Sequence, residues 1–156
     1  MSGNFRKLGG AAFMLLLGLL NTGCIKKILL DGQIASTRQA SAAVSSISDY
    51  HVAKAAGQAG LAQFEGLHYL APGNRDGLFL LTKNWASVAF AFMEDEMQQA
   101  EDLHGDDSEL ANYHRARAAA AYSRAIFYGI KLLEMDHPGF EAASKNAETI
   151  QQWLSA

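Results

Sequence analysis

Three glutamates each stand three residues ahead of a histidine: Glu65 and His68, Glu101 and His104, Glu134 and His137. On a helix that spacing sets carboxylate and imidazole on one face. Two such pairs joined by two further glutamates make the di-iron site of helical bundles. Each histidine here falls at a helix end, however. His68 lies one turn before Pro72, His104 precedes Gly105, and His137 precedes Pro138. Bundle ligands project from mid-helix, whereas histidine near a helix C-terminus is favoured by the helix dipole, typically by about 0.3–1 kcal/mol. The pairs read as helix-end histidines, and a metal-binding bundle stands only as an alternative. Around His104, the residues Asp102, Asp106 and Asp107 lack the glycine and glutamate spacing of a calcium loop. The sequence contains no G-x-S-x-G, H-E-x-x-H or phosphate-cradling glycine motif. No catalytic residue, metal ligand or cofactor is assigned, and the expectation is a protein that is not an enzyme.

Arginine and aromatic residues offer binding chemistry instead. Arg117 and Arg124 lie two turns apart on nearly one helix face, with Tyr113 and Tyr128 close to it. Guanidinium groups beside tyrosines suit a carboxylate ligand or an acidic partner surface. Pairing with Glu94, Glu96 or Glu101 on the preceding helix is the plainer reading. Trp85, Phe90 and Phe92 line either an apolar channel or the core, the commoner place for aromatics at helical spacing. The candidate ligand- or partner-binding residues are therefore Trp85, Phe92, Tyr113, Arg117, Arg124 and Tyr128.

Cys24 is the chain's single cysteine. Before it come Arg6 and Lys7, an apolar run from Ala11 to Leu20, and Asn21-Thr22-Gly23. That order is the layout of a secretory leader, and the apolar run falls short of the about 20 residues a membrane-spanning helix needs. A small residue before the cysteine marks a lipoprotein signal, although Asn21 stands where leucine is commonest. Residues 1–23 are expected to be removed and Cys24 to be acylated, leaving no thiol for a disulfide or a metal. Ile25, in place of an aspartate, directs the anchor to the outer membrane, on its periplasmic face, rather than the inner one. Lys26 and Lys27 then sit at the headgroups. Two of the 13 basic residues, Arg6 and Lys7, go with the leader, so the 16 acidic residues outnumber the remainder. Nucleic acid is excluded as a partner, because phosphate binding draws on positive charge.

The elements that position these side chains read as helices. Only two prolines occur, and no stretch alternates with the period of a strand. Residues 24–156 form one all-α domain of five helical segments. The first runs from Ile25 to Ile47. The second runs from Tyr50 to Leu70, capped by Ser48 or Asp49 and stopped by Pro72-Gly73. The third, from Arg75 to Asp102, carries an apolar stripe of Leu78, Leu81, Trp85, Val88 and Phe92, widened by Phe79 and Phe90. The fourth runs from Glu109 to Asp136, capped by Asp107 or Ser108, with a stripe of Tyr113, Ala116, Ala120, Phe127, Ile130 and Leu133. The fifth starts at His137-Pro138, with proline in its first turn, and ends near Trp153. Short loops make neighbours antiparallel, so the hairpins stack as a solenoid or a bundle.

Three stretches carry a family resemblance. They are Pro72-Gly73-Asn74 leading through Leu78 and Leu81 into the segment Trp85 to Glu94; Arg115-Ala-Arg117 followed by Tyr122 to Glu134; and His137-Pro-Gly-Phe140. In their order and spacing the chain resembles the T component of TRAP (tripartite ATP-independent periplasmic) transporters. These are bacterial lipoproteins with tetratricopeptide-like helices; members are longer, and the chain is expected to be either the N-terminal half of one or a shortened member. The resemblance implies a non-enzymatic accessory role in the periplasm. The implied partner is the transporter's substrate-binding protein, with a small organic or apolar ligand and a homo-oligomer as further expectations. A general helical scaffold lipoprotein of the cell envelope is the alternative.

Overall fold

The computed structural model describes residues 23–155. The leader, Asn21 included, lies outside the described residues, whereas Cys24 lies within them as an exposed thiol. Every regular element described is helical. Helix α1 spans residues 23–40 and tightens into a 3₁₀ stretch, Ser41–Ser46. Helix α2 is Tyr50–Leu70, begun by the Asp49 carboxylate, which accepts from the Val52 N–H at 2.8 Å. After the Pro72-Gly73 turn, the Asn74 side chain accepts from the Gly77 N–H at 2.9 Å and starts α3, Arg75–Val88. A π-helical stretch, Ala89–Met93, joins α3 without a break to α4, Glu94–His104. Gly105 ends α4 with φ 91°. Ser108, accepting from Ala111 N–H, opens α5, Glu109–Asp136. The fifth segment departs from expectation. Pro138 sits in a turn rather than in a helix, and two short helices follow, α6 Phe140–Ala143 and α7 Ala147–Leu154. The reason is Gly139, at φ 92°, a conformation that cannot continue a helix.

Helix α3 is the centre of the packing, with α2 on one side and α5 on the other. The core joins Ile34 of α1, Phe64 and Leu67 of α2, Leu78, Leu80 and Leu81 of α3, and Tyr128 of α5. Leu81 and Ile34 are wholly enclosed, and each such side chain contributes about 2–3 kcal/mol of apolar burial. The α2–α3 approach is close because Gly57 carries no side chain; a Cβ there would stand 3.1 Å from Val88 Cγ2. Tyr122 against Glu94, Arg117 against Glu96 and Arg115 against Glu101 set the register of α5 antiparallel to α4.

Two apolar faces differ from the sequence expectation. Phe90, about two and a half turns beyond Leu81 and so on the opposite side of the helix, is 70% exposed rather than widening the buried face. On α5 the buried stripe is Ala111, Ala118, Ala121, Ala125 and Tyr128, rotated away from the expected one. Tyr113, Phe127 and Leu133 are exposed, as are Ala116 and Ala120. Small side chains let α5 approach the α3–α4 rod closely, and that contact outweighs the hydrophobicity of the larger residues. The rotation has a testable consequence. Ala121→Leu forces extra methylenes into a closed contact and is expected to cost about 2 kcal/mol, whereas Ala120→Leu on the exposed face stays within about 0.5 kcal/mol of wild type. Paired chemical denaturation curves decide it, and equal effects at the two positions contradict the rotated face.

Candidate functional site

The three glutamate–histidine pairs lie in separate places, each serving a local purpose. Glu134, in the last turn of α5, reaches forward past the helix end. Its two carboxylate oxygens accept from the Gly139 N–H at 2.9 Å and the Glu141 N–H at 2.8 Å, so it caps α6. Those backbone donors at Glu141 and Gly139 hold its carboxyl below the usual range. His137 meets the edge of Trp153. Glu101 pairs with Arg115 across the α4–α5 contact, while His104 is the last residue of α4. Among the described residues no cluster of three or more His, Cys, Asp and Glu side chains has metal-binding geometry.

Glu65, in the first pair, is the polar hub of the fold. It sits on α2 one turn beyond Leu61, beside the buried Phe64. The indole Nε1–H of Trp85 donates to its Oε1 at 2.8 Å, and Arg124 Nε–H donates to the same oxygen at 2.7 Å. Tyr128 Oη–H donates to Oε2 at 2.6 Å, and Arg124 Nη2 reaches the Tyr128 hydroxyl at 3.3 Å. The Arg124 guanidinium also lies over the Trp85 ring, 5.6 Å from its centroid. Burial opposes the Glu65 charge, yet the hydrogen bonds from Arg124, Tyr128 and Trp85 outweigh it and bring the carboxyl down to about 2. Burial and then the Glu65 carboxylate push Tyr128 up to about 12. Effective proton transfer requires values near the working pH. At neutral pH both groups keep their protonation states, so the arrangement ties α2, α3 and α5 together. His68 packs edge-on to Tyr128, with ring centroids 5.1 Å apart. Its Nδ1 is enclosed without a hydrogen-bond partner, and burial holds the ring below its ordinary value.

A second cluster surrounds Glu96 on α4. Lys54 of α2 donates to one carboxylate oxygen, and Arg117 of α5 to the other at 2.7 Å, beside His114 at 3.2 Å. Burial again opposes the charge, and the hydrogen bonds from Lys54 and Arg117 prevail, keeping Glu96 below its ordinary value. Tyr113 lies outside, its ring centroid 5.5 Å from the Arg117 guanidinium. Of the six candidate binding residues, Trp85, Arg124 and Tyr128 thus meet at Glu65, and Arg117 and Tyr113 meet beside Glu96. Phe92 stands apart, edge-on to Tyr50 at 5.5 Å. Arg117 has the partner the preceding helix was expected to supply, while Arg124 reaches past that helix to α2. The hub role of Glu65 was missed in the sequence. Its signal was a carboxylate on the inward side of α2, between Leu61 and Leu67.

Large apolar side chains remain on the outer side of α5. Ile126 is 60% and Phe127 52% exposed. Beside Ile126 runs an apolar groove of about 390 Å³, floored by Thr82, Ala86 and Ala125 and closed by Ile130 and Phe140. Fold and surface together define an all-α protein of stacked antiparallel hairpins, internally clamped by ion pairs and apolar on one outer face. The comparison with known families makes this specific: the family model of the TRAP transporter T-component matches residues 47–156, and the chain belongs to that family. It is an accessory component of TRAP transporters. No curated protein and no solved structure matches the chain.

Proposed function

We propose that the chain is a periplasm-facing accessory lipoprotein, anchored through Cys24 to the outer membrane, that binds the substrate-binding component of a TRAP-type transporter and handles a small organic or apolar ligand. Family membership over residues 47–156 is the observation that carries this reading. The geometry supports binding rather than catalysis. Acidic and basic groups between the helices are drawn into clamps, and the outer side of α5 with its groove leaves apolar surface uncovered. An extended helical stack offers such faces to partner proteins. Among the described residues no helix is long and apolar enough to cross a membrane; the lipid on Cys24 is the proposed attachment. A single acyl chain binds only marginally, and stable anchoring needs a second signal.

Affinity purification of the protein from detergent-solubilised envelopes tests the reading. The expected result is co-purification of a TRAP substrate-binding protein, with an acyl mass on the peptide beginning at Cys24. Recovery of outer-membrane assembly proteins in its place points to the general scaffold and contradicts the proposal.

A further inference from the structure

Three parts of the chain meet at one pole of the molecule. Helix α1 starts there, α2 turns into α3, and α5 finishes. Asn74 donates to Asp31 at 2.7 Å, and Arg75 pairs with Asp136 at 2.6 Å, so the three are tied together. Further along, Ile34 passes Gly77 and Arg38 lies over the Phe79 ring, so α1 runs parallel to α3. Because α1 first meets the α2–α3 turn near Leu30, its first two turns overhang the bundle by about 10 Å, at about 1.5 Å per residue. Between overhang and turn lies an open cavity of about 860 Å³, walled by Leu30, Leu70, Pro72 and Met135 and edged by Lys26 and Arg75.

The surface around that cavity is unusual in composition. Ile28, Leu29 and Leu70 are each about two-thirds exposed, and Tyr69 is 86% exposed. Single exposed apolar residues are ordinary, but these share one pole with Lys26 and Lys27. The other end of the rod is acidic. No lysine or arginine occurs between Glu94 and Glu109, and the loop after α4 stands about 45 Å away along α3 and α4. The two ends therefore differ: at the first, Lys27 pairs with Asp31 and Arg75 with Asp136 while Lys26 stands beside them, so that end is apolar and close to neutral, whereas the other is acidic. Aliphatic side chains, a tyrosine and lysines on one surface are what a bilayer boundary with anionic headgroups accepts, and the acidic end is repelled by the same surface.

We infer that this pole is a lipid-docking surface: Ile28, Leu29, Tyr69 and Leu70 enter the headgroup boundary of the bilayer, and Lys26 and Lys27 meet anionic phosphates. The inference rests on the reading of Cys24 as the anchor, since Cys24 is exposed on the overhang and would place its lipid beside these residues. Docking fixes the direction of the rod, with the α2–α3 turn at the membrane and the acidic α4–α5 loop held out from it.

The test uses the full lipidated protein in vesicles of phosphatidylethanolamine and phosphatidylglycerol. With Cys24 consumed by lipid, a cysteine introduced as Leu70→Cys or Asp106→Cys takes a nitrobenzoxadiazole label at one position. The label at residue 70 is expected to shift to the blue and to be quenched by spin-labelled lipid. The label at residue 106 is expected to stay accessible to aqueous iodide. Equal aqueous exposure of both, with the acyl mass present, overturns docking and leaves the anchor standing. Absence of the acyl mass overturns the anchor, and the unlabelled protein then decides docking by sedimentation with phosphatidylglycerol vesicles. Binding weakened about tenfold by Lys26→Gln with Lys27→Gln supports the surface, whereas no binding by wild type at low salt rejects it.

Discussion

Glu65→Ala is expected to destabilise the protein by about 3 kcal/mol, because it strands Arg124, Tyr128 and the Trp85 N–H around a missing acceptor. In a domain of this size that is a fall in melting temperature of about 10 °C. Glu65→Gln, which keeps the shape and one acceptor, is expected to cost about half as much. Arg124→Ala combined with Glu65→Ala is expected to fall short of the sum of the two single effects, because both remove the same contact. The pH dependence carries a definite sign. The folded Glu65 carboxyl stands at about 2 against its ordinary value of 4.5, so the native state stabilises the charged form. Its contribution is complete above the unfolded value and is lost as pH falls from about 4.5 towards about 2. Thermal melts through that window are expected to fall more steeply for wild type than for Glu65→Gln. Parallel slopes for the two proteins contradict the clamp.

Leu81→Ala is the second large effect. Leu81 is wholly enclosed, within the core formed by Ile34, Phe64, Leu67, Leu78, Leu80 and Tyr128. The substitution removes its transfer energy and leaves a cavity between rigid helices, for a cost of about 3–4 kcal/mol. Phe90→Ala deletes a larger side chain that is 70% exposed, and its cost is expected to stay below about 0.5 kcal/mol. Denaturant titration of the pair measures the contrast directly. A Phe90→Ala loss matching that of Leu81→Ala rejects the core as described.

The contrast between these residues shows what the sequence made legible. Helix α2 and helix α5 were readable to their ends, because Asp49, Pro72-Gly73 and Ser108 act through the backbone next to them. The stripe Leu78, Leu81 and Val88 was equally plain, since large apolar residues recur at helical spacing on one face. The facing of α5 was not. Its buried residues are mostly alanines, which carry little hydrophobic signal, while Tyr113, Ile126 and Phe127 stay outside. The site divided in the same way. Arg117 found the expected carboxylate on the neighbouring helix, but Arg124 and Glu65 meet across three helices, a pairing that only the packing specifies. The turn at Gly139 was hidden because it depends on Glu134 reaching forward to cap α6.

Membership of the T-component family gives the chain its setting, and the apolar outer face of α5 is the surface proposed to meet its partner. The most direct measurement is a calorimetric titration of the purified protein with the substrate-binding component of its own TRAP system. The account predicts saturable binding, weakened about tenfold by Ile126→Asp, a change on an exposed position that leaves the melting temperature in place. No heat of binding with a folded, lipidated protein would contradict it.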